Sequence, residues 1–540
     1  MNRKILTVVA LSALCVTTAF AADSVPTFSK DVAPLFFSKC AACHRPGEVA
    51  PMSLLTYDDA RPWAKSIARA VRSGDMPPWG ASAEHGTWSN DMSLSPDAVE
   101  TIVRWVRTGA IEGDPSDLPA QPVFSEGWLL GEPDYIIELD EVVIPAGGDD
   151  LFPKQWVDLS DLGGEKWVKA IQFLPGDRRA AHHMLATYNS GAAGADGRGN
   201  FERGRGNGGS GVFGVWTAGM QPYVFPEGMG RLISSQTRVL LDNHYHPFGQ
   251  ATTDVTRIGL YFGEGELQKE VATMLVANTG LRIPPNDPNY EIAGFHVFDT
   301  DMQILAFSPH MHLRGKAMRY DVTYPDGTQE TLLDVPNYNF NWQWLYYPVE
   351  PIHIPAGSRM DVTAAWDNSA DNLFNPDPSA EIIYRGNTFN EMFVGFFEAI
   401  QSDGVYHQPS DQMAKLTQLL SAHPAEDSYL LGGFLPIGLY VPKSGDGWAY
   451  VVQGNGMTTM TLDDIRWDGD KLSVRTQFPT AEASAITTLI EAQLDDKGQL
   501  KGTLTYGDKA ETGDEPIVMP ILGKPQVAGA GEATAGGAGR

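Results

Sequence analysis

From Phe124 onward the chain is made of short β-branched and aromatic runs broken by Gly, Pro, Asn and Asp, as in YIIELDEVVIPAGGDD (135–150) and RMDVTAAWDNSADNLFNPDP (359–378). Such side chains suit a pleated surface, and the residues between them supply the backbone angles at which a strand reverses. Runs of this kind at regular spacing predict antiparallel sandwiches, so most of the chain is expected to be all-β. Residues 190–211 are glycine-rich and predict a mobile surface loop.

The residues before Phe124 read differently. Asn2-Arg3-Lys4 precede an apolar run from Ile5 to Phe20 and the small-residue site Ala19-Phe20-Ala21, which predicts a cleavable signal peptide over 1–21 and a periplasmic or secreted protein. That run is too short to span a membrane, and Leu14 before Cys15 argues against lipid anchoring. No later apolar stretch reaches membrane length, so no membrane insertion is expected. With 67 acidic against 39 basic residues the net charge is -28, which excludes nucleic acid as a partner class. Beyond the signal only Cys40 and Cys43 remain, too close together to cross-link distant parts of a large chain.

Those two cysteines stand in Cys40-Ala-Ala-Cys43-His44, the spacing that attaches a covalent c-type haem, with two thioethers to the vinyl groups and His44 placed to ligate iron. The competing readings are a redox CxxC pair or half of a zinc site; the adjacent histidine and the absence of a second CxxC count against both. For the second axial ligand the segment offers Met52, Met76 and Met92. Met76 is preferred, because GDMPPW places it on a proline-stiffened loop after an amphipathic pattern of Trp63, Ile67, Ala70 and Val71. A final helix around Val99 to Val106 would close a small all-α domain that moves single electrons.

The chain has twelve histidines, and six of them cluster. AAHHMLATY holds His182 and His183, LLDNHYHPFG holds His244 and His246, and AFSPHMHLRGKAM holds His310 and His312; NTFNEMFVGFFE adds Met392. Residues i and i+2 of a strand share a face, so His310 and His312 can close on one metal ion. Adjacent His182 and His183 would face opposite ways on a regular strand and need a bulge or strand end to converge. Imidazoles with one thioether suit copper cycling between two oxidation states, whereas zinc more often recruits a carboxylate or thiolate. His85, His296, His353, His407 and His423 lack a partner at metal-like spacing and read as surface or hydrogen-bonded core residues. Met184 and Met311 read as packing inward.

HHM, HYH, HMH and a late EM before an apolar strand, in that order, resemble the copper type II, ascorbate-dependent monooxygenases, which include the peptidylglycine α-hydroxylating and dopamine β-hydroxylating enzymes. The likeness covers roughly residues 125–400. It implies two packed jelly-roll sandwiches, each holding one copper across a solvent cleft. By that pattern His182, His183 and His244 bind the electron-transfer copper, while His310, His312 and Met392 bind the copper where O₂ is activated. The family uses only the first histidine of HYH, so His246 is read as supporting or solvated.

Two departures matter. The animal enzymes are disulfide-rich and this chain is not. Their peptide-specific members bind a substrate carboxylate with an Arg two before HxH and a Tyr four after the Met, where this chain has Ser308 and Phe396, so a C-terminal peptide substrate is not expected. Arg314 and Lys316 are read as a solvated strand end.

The expected organisation is therefore a signal peptide (1–21), a cytochrome c-like haem domain (24–115), two jelly-roll copper domains (125–283 and 284–400), a small C-terminal β domain (401–526) and a disordered tail (527–540). The expected activity is insertion of one oxygen atom of O₂ into a C–H bond of a small organic substrate. Electrons would come from ascorbate or a redox protein, relayed by the fused haem domain. The alternative is a non-catalytic electron-transfer or copper-binding protein.

Overall fold

The computed structural model describes residues 25–124, 127–189, 210–278, 280–298, 300–384, 388–402, 416, 419–420, 423–432, 437–445, 447–453, 456–462, 464–479, 485–496, 498–506 and 517–525. The expected signal peptide, most of the glycine-rich segment, His407 and the tail after 526 lie outside them. Ser210 and Gly211, expected in the surface loop, instead open the strand Ser210–Thr217. The described residues are mostly β, with few helices, all short of residue 118 apart from short pieces near 416–427. Among them no helix is long and apolar enough to cross a membrane.

The helical part is held by one small core of Phe28, Phe36, Leu54, Ile67, Val71, Ile102 and Trp105. Helix Ala64–Ser73 buries Ile67 and Val71 and stops where Gly74 turns left-handed, at φ 82°. Trp63, expected on the same apolar face, is 41% exposed, because it lies in the 3-10 turn before that helix. Helix Pro96–Arg107 starts where Ser95 Oγ accepts the Ala98 N–H, with Pro96 in the first turn, and it buries Ile102, Val103 and Trp105.

Next come two sheets on one core. A five-stranded sheet runs in the order Tyr135–Glu138, Arg257–Phe262, Lys166–Leu174, Met229–Ile233, Lys269–Glu270. A four-stranded sheet runs Lys154–Asp158, Arg238–Tyr245, Ala181–Asn189, Ser210–Thr217. Val168, Phe173, Ile258 and Leu260 of the first meet Met184, Phe213, Val239 and Leu241 of the second. Alternate residues of each strand point inward, and this packing is what fixes the register.

A second pair of sheets follows the same rule. Tyr290–Val297, Arg359–Trp366, Gly315–Thr323 and Gln329–Val335 form one; Ile352–Ile354, Met302–His310, Val394–Gln401 and Ala272–Asn278 form one edge of the other. Met318, Tyr320, Val362 and Trp366 pack on Met274, Ile304, Phe307 and Phe397 between them. Ala272–Asn278 thus hydrogen-bonds along Val394–Gln401, although the boundary expected at 283/284 assigned it to the first sandwich. The same strand pairs in parallel with Gly456–Leu462, so the C-terminal strands continue this sheet.

The helical part is not a detached bead. Trp88 lies in the second-sandwich core, Trp79 packs against it, Ser82 N–H donates to Asp334 O at 2.8 Å, and Ser89 N–H to Tyr347 O at 2.8 Å. On its other side Cys43 and Val49 pack on the first-sandwich core.

Candidate metal and haem sites

His182 and His183 lie on Ala181–Asn189, and His244 lies on the adjacent strand. His183 is directly opposite His244, and the register slips between Ala181 and His183. This is the irregularity that two adjacent histidines need to face one point. One ligand atom from each of the three lies within 4.8 Å of the others, and His183 Nδ1 is 3.4 Å from His244 Nδ1. His182 Nδ1 is buried with no hydrogen-bond partner, so the cluster presents a donor atom that a metal would satisfy. Burial first, and neighbouring His244 second, lower the His182 pKa to about 3 and push His183 well below the ordinary value. Both rings are therefore neutral and carry a lone pair at neutral pH.

Asp150 fixes the third ring. His244 Nε2–H donates to Asp150 Oδ2 at 2.7 Å, which leaves Nδ1 facing the cluster. His246 is exposed, and its Nδ1 lies 2.7 Å from Asp150 Oδ1. It shares the carboxylate and lies outside the three-histidine group.

The second set is built at a strand end. His310 closes Met302–His310 and pairs with Val394, while His312 lies just past the strand end and Met392 two residues before Val394–Gln401 begins. The His310 and His312 rings are 5.3 Å apart at 87°. His310 Nδ1–H donates to Gln343 Oε1 at 2.6 Å and His312 Nδ1–H to Asn390 O at 3.0 Å, so in each ring Nδ1 is the nitrogen fixed by the surrounding chain. Met392 is 6% exposed, and Met184 and Met311 are fully buried.

Glu391, next to Met392, ties the motifs together. It accepts the N–H groups of His312 at 2.7 Å and Arg314 at 2.6 Å, and Trp366 Nε1–H at 3.1 Å. Burial raises its pKa to about 7. Arg314, read from sequence as solvated, is 1% exposed and donates to Asn368 Oδ1 and Phe389 O. Lys316 is exposed as expected.

The two sets touch through one segment. Phe340 contacts His183, His244 and His312, with ring centroids 5.3, 5.9 and 6.0 Å away, and Trp342 lies 5.5 Å from His182. The Gln343 amide that accepts from His310 also places its nitrogen 3.3 Å from His183 Nε2. Where the resemblance implies a solvent cleft, Phe340 to Gln343 stand between the histidines.

In the helical part the Cys40 and Cys43 thiols are unpaired and half-buried, and burial pushes both up to about 12. His44 Nδ1–H donates to Met52 O at 3.2 Å, so Nε2 is the ring nitrogen that could take a haem iron. Met92 packs on the second-sandwich core and Met52 on the helical core. Met76 is half-buried two residues beyond Gly74. A cavity of about 240 Å³ lies where the three parts meet, between Ala42, Arg45 and Glu48 on one side and Trp216, Tyr223 and Tyr347 on the other.

Sequence reading missed Asp150, Gln343, Phe340 and the role of Glu391. Only Glu391 stood beside a motif; the others reach the sites through long-range packing. No protein-family model matches the chain, and no curated protein matches it.

Proposed function

We propose that this is an exported haem–copper monooxygenase that inserts one oxygen atom of O₂ into a C–H bond of a small organic substrate and reduces the other to water. Its parts on this reading are a cytochrome c-like domain and two jelly-roll copper domains, as the resemblance to the copper type II monooxygenases implies. The observation that carries it is the contact of two separate histidine sets, one of three imidazoles with a buried unpaired nitrogen and one of two imidazoles at a strand end paired with Val394, two residues after Met392. Simple copper carriage has no use for two unlike sets joined by one side chain.

His182, His183 and His244 would hold one copper and His310, His312 and Met392 the other; Cys40, Cys43, His44 and Met76 would hold the haem. When bound, copper supplies one-electron redox chemistry and an open position for O₂, and sulfur favours its reduced state. The chain's own contribution is orientation. Asp150, Gln343 and Asn390 O each take the outward ring N–H of a histidine and so fix which nitrogen faces inward. Glu391 holds the backbone on both sides of His312. Phe340 and Trp342 pack their rings against those of His183 and His182.

The test is reduced, copper-loaded protein with a substrate panel under ¹⁸O₂, read as labelled alcohol. Met392→Ala is expected to abolish labelled product while haem content and fold persist. Robust hydroxylation by that variant would refute the ligand assignment.

A further inference from the structure

We infer that electrons pass to the three-histidine cluster directly from the haem, through the contact of Cys43 with Gly219. The inference rests on the reading above that both groups are bound, and adds the route between them.

Three observations converge on it. A Cβ built on Gly219 would lie 2.7 Å from Cys43 Sγ, so the thiol approaches this backbone closely and any larger residue would push it aside. Gly219 also has φ 91°, which an L side chain resists. Next, the residues just before Gly219 grip the cluster: Ala218 N–H donates to His182 O at 3.4 Å and Thr217 Oγ1–H to the same oxygen at 3.3 Å. A haem joined through Cys43 would therefore be tethered beside a backbone that is hydrogen-bonded to His182.

Finally, an ion pair crosses between the two parts beside this contact. Arg178 of the first sandwich reaches Glu48 at 3.0 Å, and Arg45 holds the same carboxylate while donating to Ala42 O at 2.7 Å. Glu48 is 9% exposed, so these pairs are poorly screened.

The step balances simply. One electron leaves the reduced haem iron, which becomes ferric, and cupric copper at the cluster becomes cuprous; no bond or proton moves. A one-electron reductant outside the chain restores the haem.

The experiment uses the full mature chain, haem-attached and loaded with cupric copper, without O₂ or substrate. A photoreductant flash delivers one electron to the haem, and the haem absorbance and the cupric EPR signal are followed together. Both should decay in step. Gly219→Ala and Arg178→Gln should each slow this decay several-fold with haem spectrum and copper content unchanged. Gly163→Ala, another positive-φ glycine whose added Cβ meets nothing within 4 Å, should keep the wild-type rate. If Gly219→Ala fails to fold, Arg178→Gln carries the comparison.

A haem that stays reduced beside cupric copper overturns the route, as do wild-type rates in both variants or a chain without covalent haem. Since neither O₂ nor substrate is present, failure to hydroxylate would sink the monooxygenase reading and leave this one standing. A hydroxylating protein whose haem does not reoxidise would overturn the route alone.

Discussion

Replacing Gln343 with leucine is the sharpest probe of how the two histidine sets are held. The side chain is 8% exposed and accepts from His310 Nδ1–H at 2.6 Å while its amide nitrogen lies 3.3 Å from His183 Nε2. Leucine has similar bulk and no polar atoms, so the packing survives while both contacts to the histidines and the amide's 3.3 Å hydrogen bond to Phe340 O go. If His310 keeps its place, its buried N–H is left unsatisfied, at a cost of about 1–3 kcal/mol. If the ring turns to find another acceptor, Nε2 leaves the position facing His312. Loss of such a supporting hydrogen bond typically costs about 10–100-fold in metal affinity, a similar range in free energy. Competitive cuprous titration in a His182→Ala background counts the second site alone, and Gln343→Leu should weaken it by that factor. Gln343→Glu, which keeps an acceptor, should lose less. The first site, counted in a His310→Ala background, should change little, because Asp150 and the strand irregularity still orient its rings. An unchanged second-site affinity in Gln343→Leu would refute the reasoning.

Three further outcomes follow from the geometry. His182 has its pKa depressed from 6.5 to about 3, so the unfolded chain binds the proton first and stability falls as pH drops; between pH 7.5 and 5 this amounts to roughly 2 kcal/mol for this ring. Thermal melts of copper-free protein should show that loss, His182→Gln should reduce the slope, and equal slopes in the two would contradict it. Asp150→Asn should weaken copper at the three-histidine cluster by about 10–100-fold, whereas His246→Ala should leave it nearly unchanged, as measured by the same titration. Met76→Ala should lose the far-red sulfur-to-iron charge-transfer band while keeping covalent haem; persistence of the band would move the axial role to another methionine.

What could be read in advance was local chemistry. The alternation of side chains along a strand demanded an irregularity at His182-His183, and the register slips there. The same alternation placed His310 and His312 together, although His312 lies beyond the strand end and is held by Glu391. Hidden from such reading were contacts made across long separations. Asp150 lies in a loop with no metal-like spacing, and Gln343 sits in a segment, YNFNWQW, that reads as an ordinary aromatic connection. Trp79 and Trp88 belong by sequence to the helical part, but Trp88 is buried in the second-sandwich core and half-buried Trp79 packs against it, because a tryptophan's apolar area goes wherever a core will accept it. Ala272–Asn278 lies before the expected boundary because an apolar strand does not reveal which sheet it will join.

The segment that joins the two sites is not held symmetrically, and this decides where they would part. At its start Tyr338 O–H donates to Met311 O at 2.7 Å and accepts from Met311 N–H at 3.1 Å, between the two histidines of HMH. At its end Tyr346 exchanges backbone hydrogen bonds with Phe307, and Trp344 Nε1–H donates to Pro78 O. Both ends are thus fastened to the second sandwich or to the helical part docked on it. Toward the first cluster the segment offers ring contacts from Phe340 and Trp342 and the 3.3 Å approach of Gln343 to His183. Ring contacts slide at low cost, whereas breaking a buried 2.6 Å hydrogen bond leaves a polar group stranded. Any motion that parts the two sets therefore separates Gln343 from His183 first and leaves it on His310, so the set of His310 and His312 would keep its orientation while the three-histidine cluster moves away.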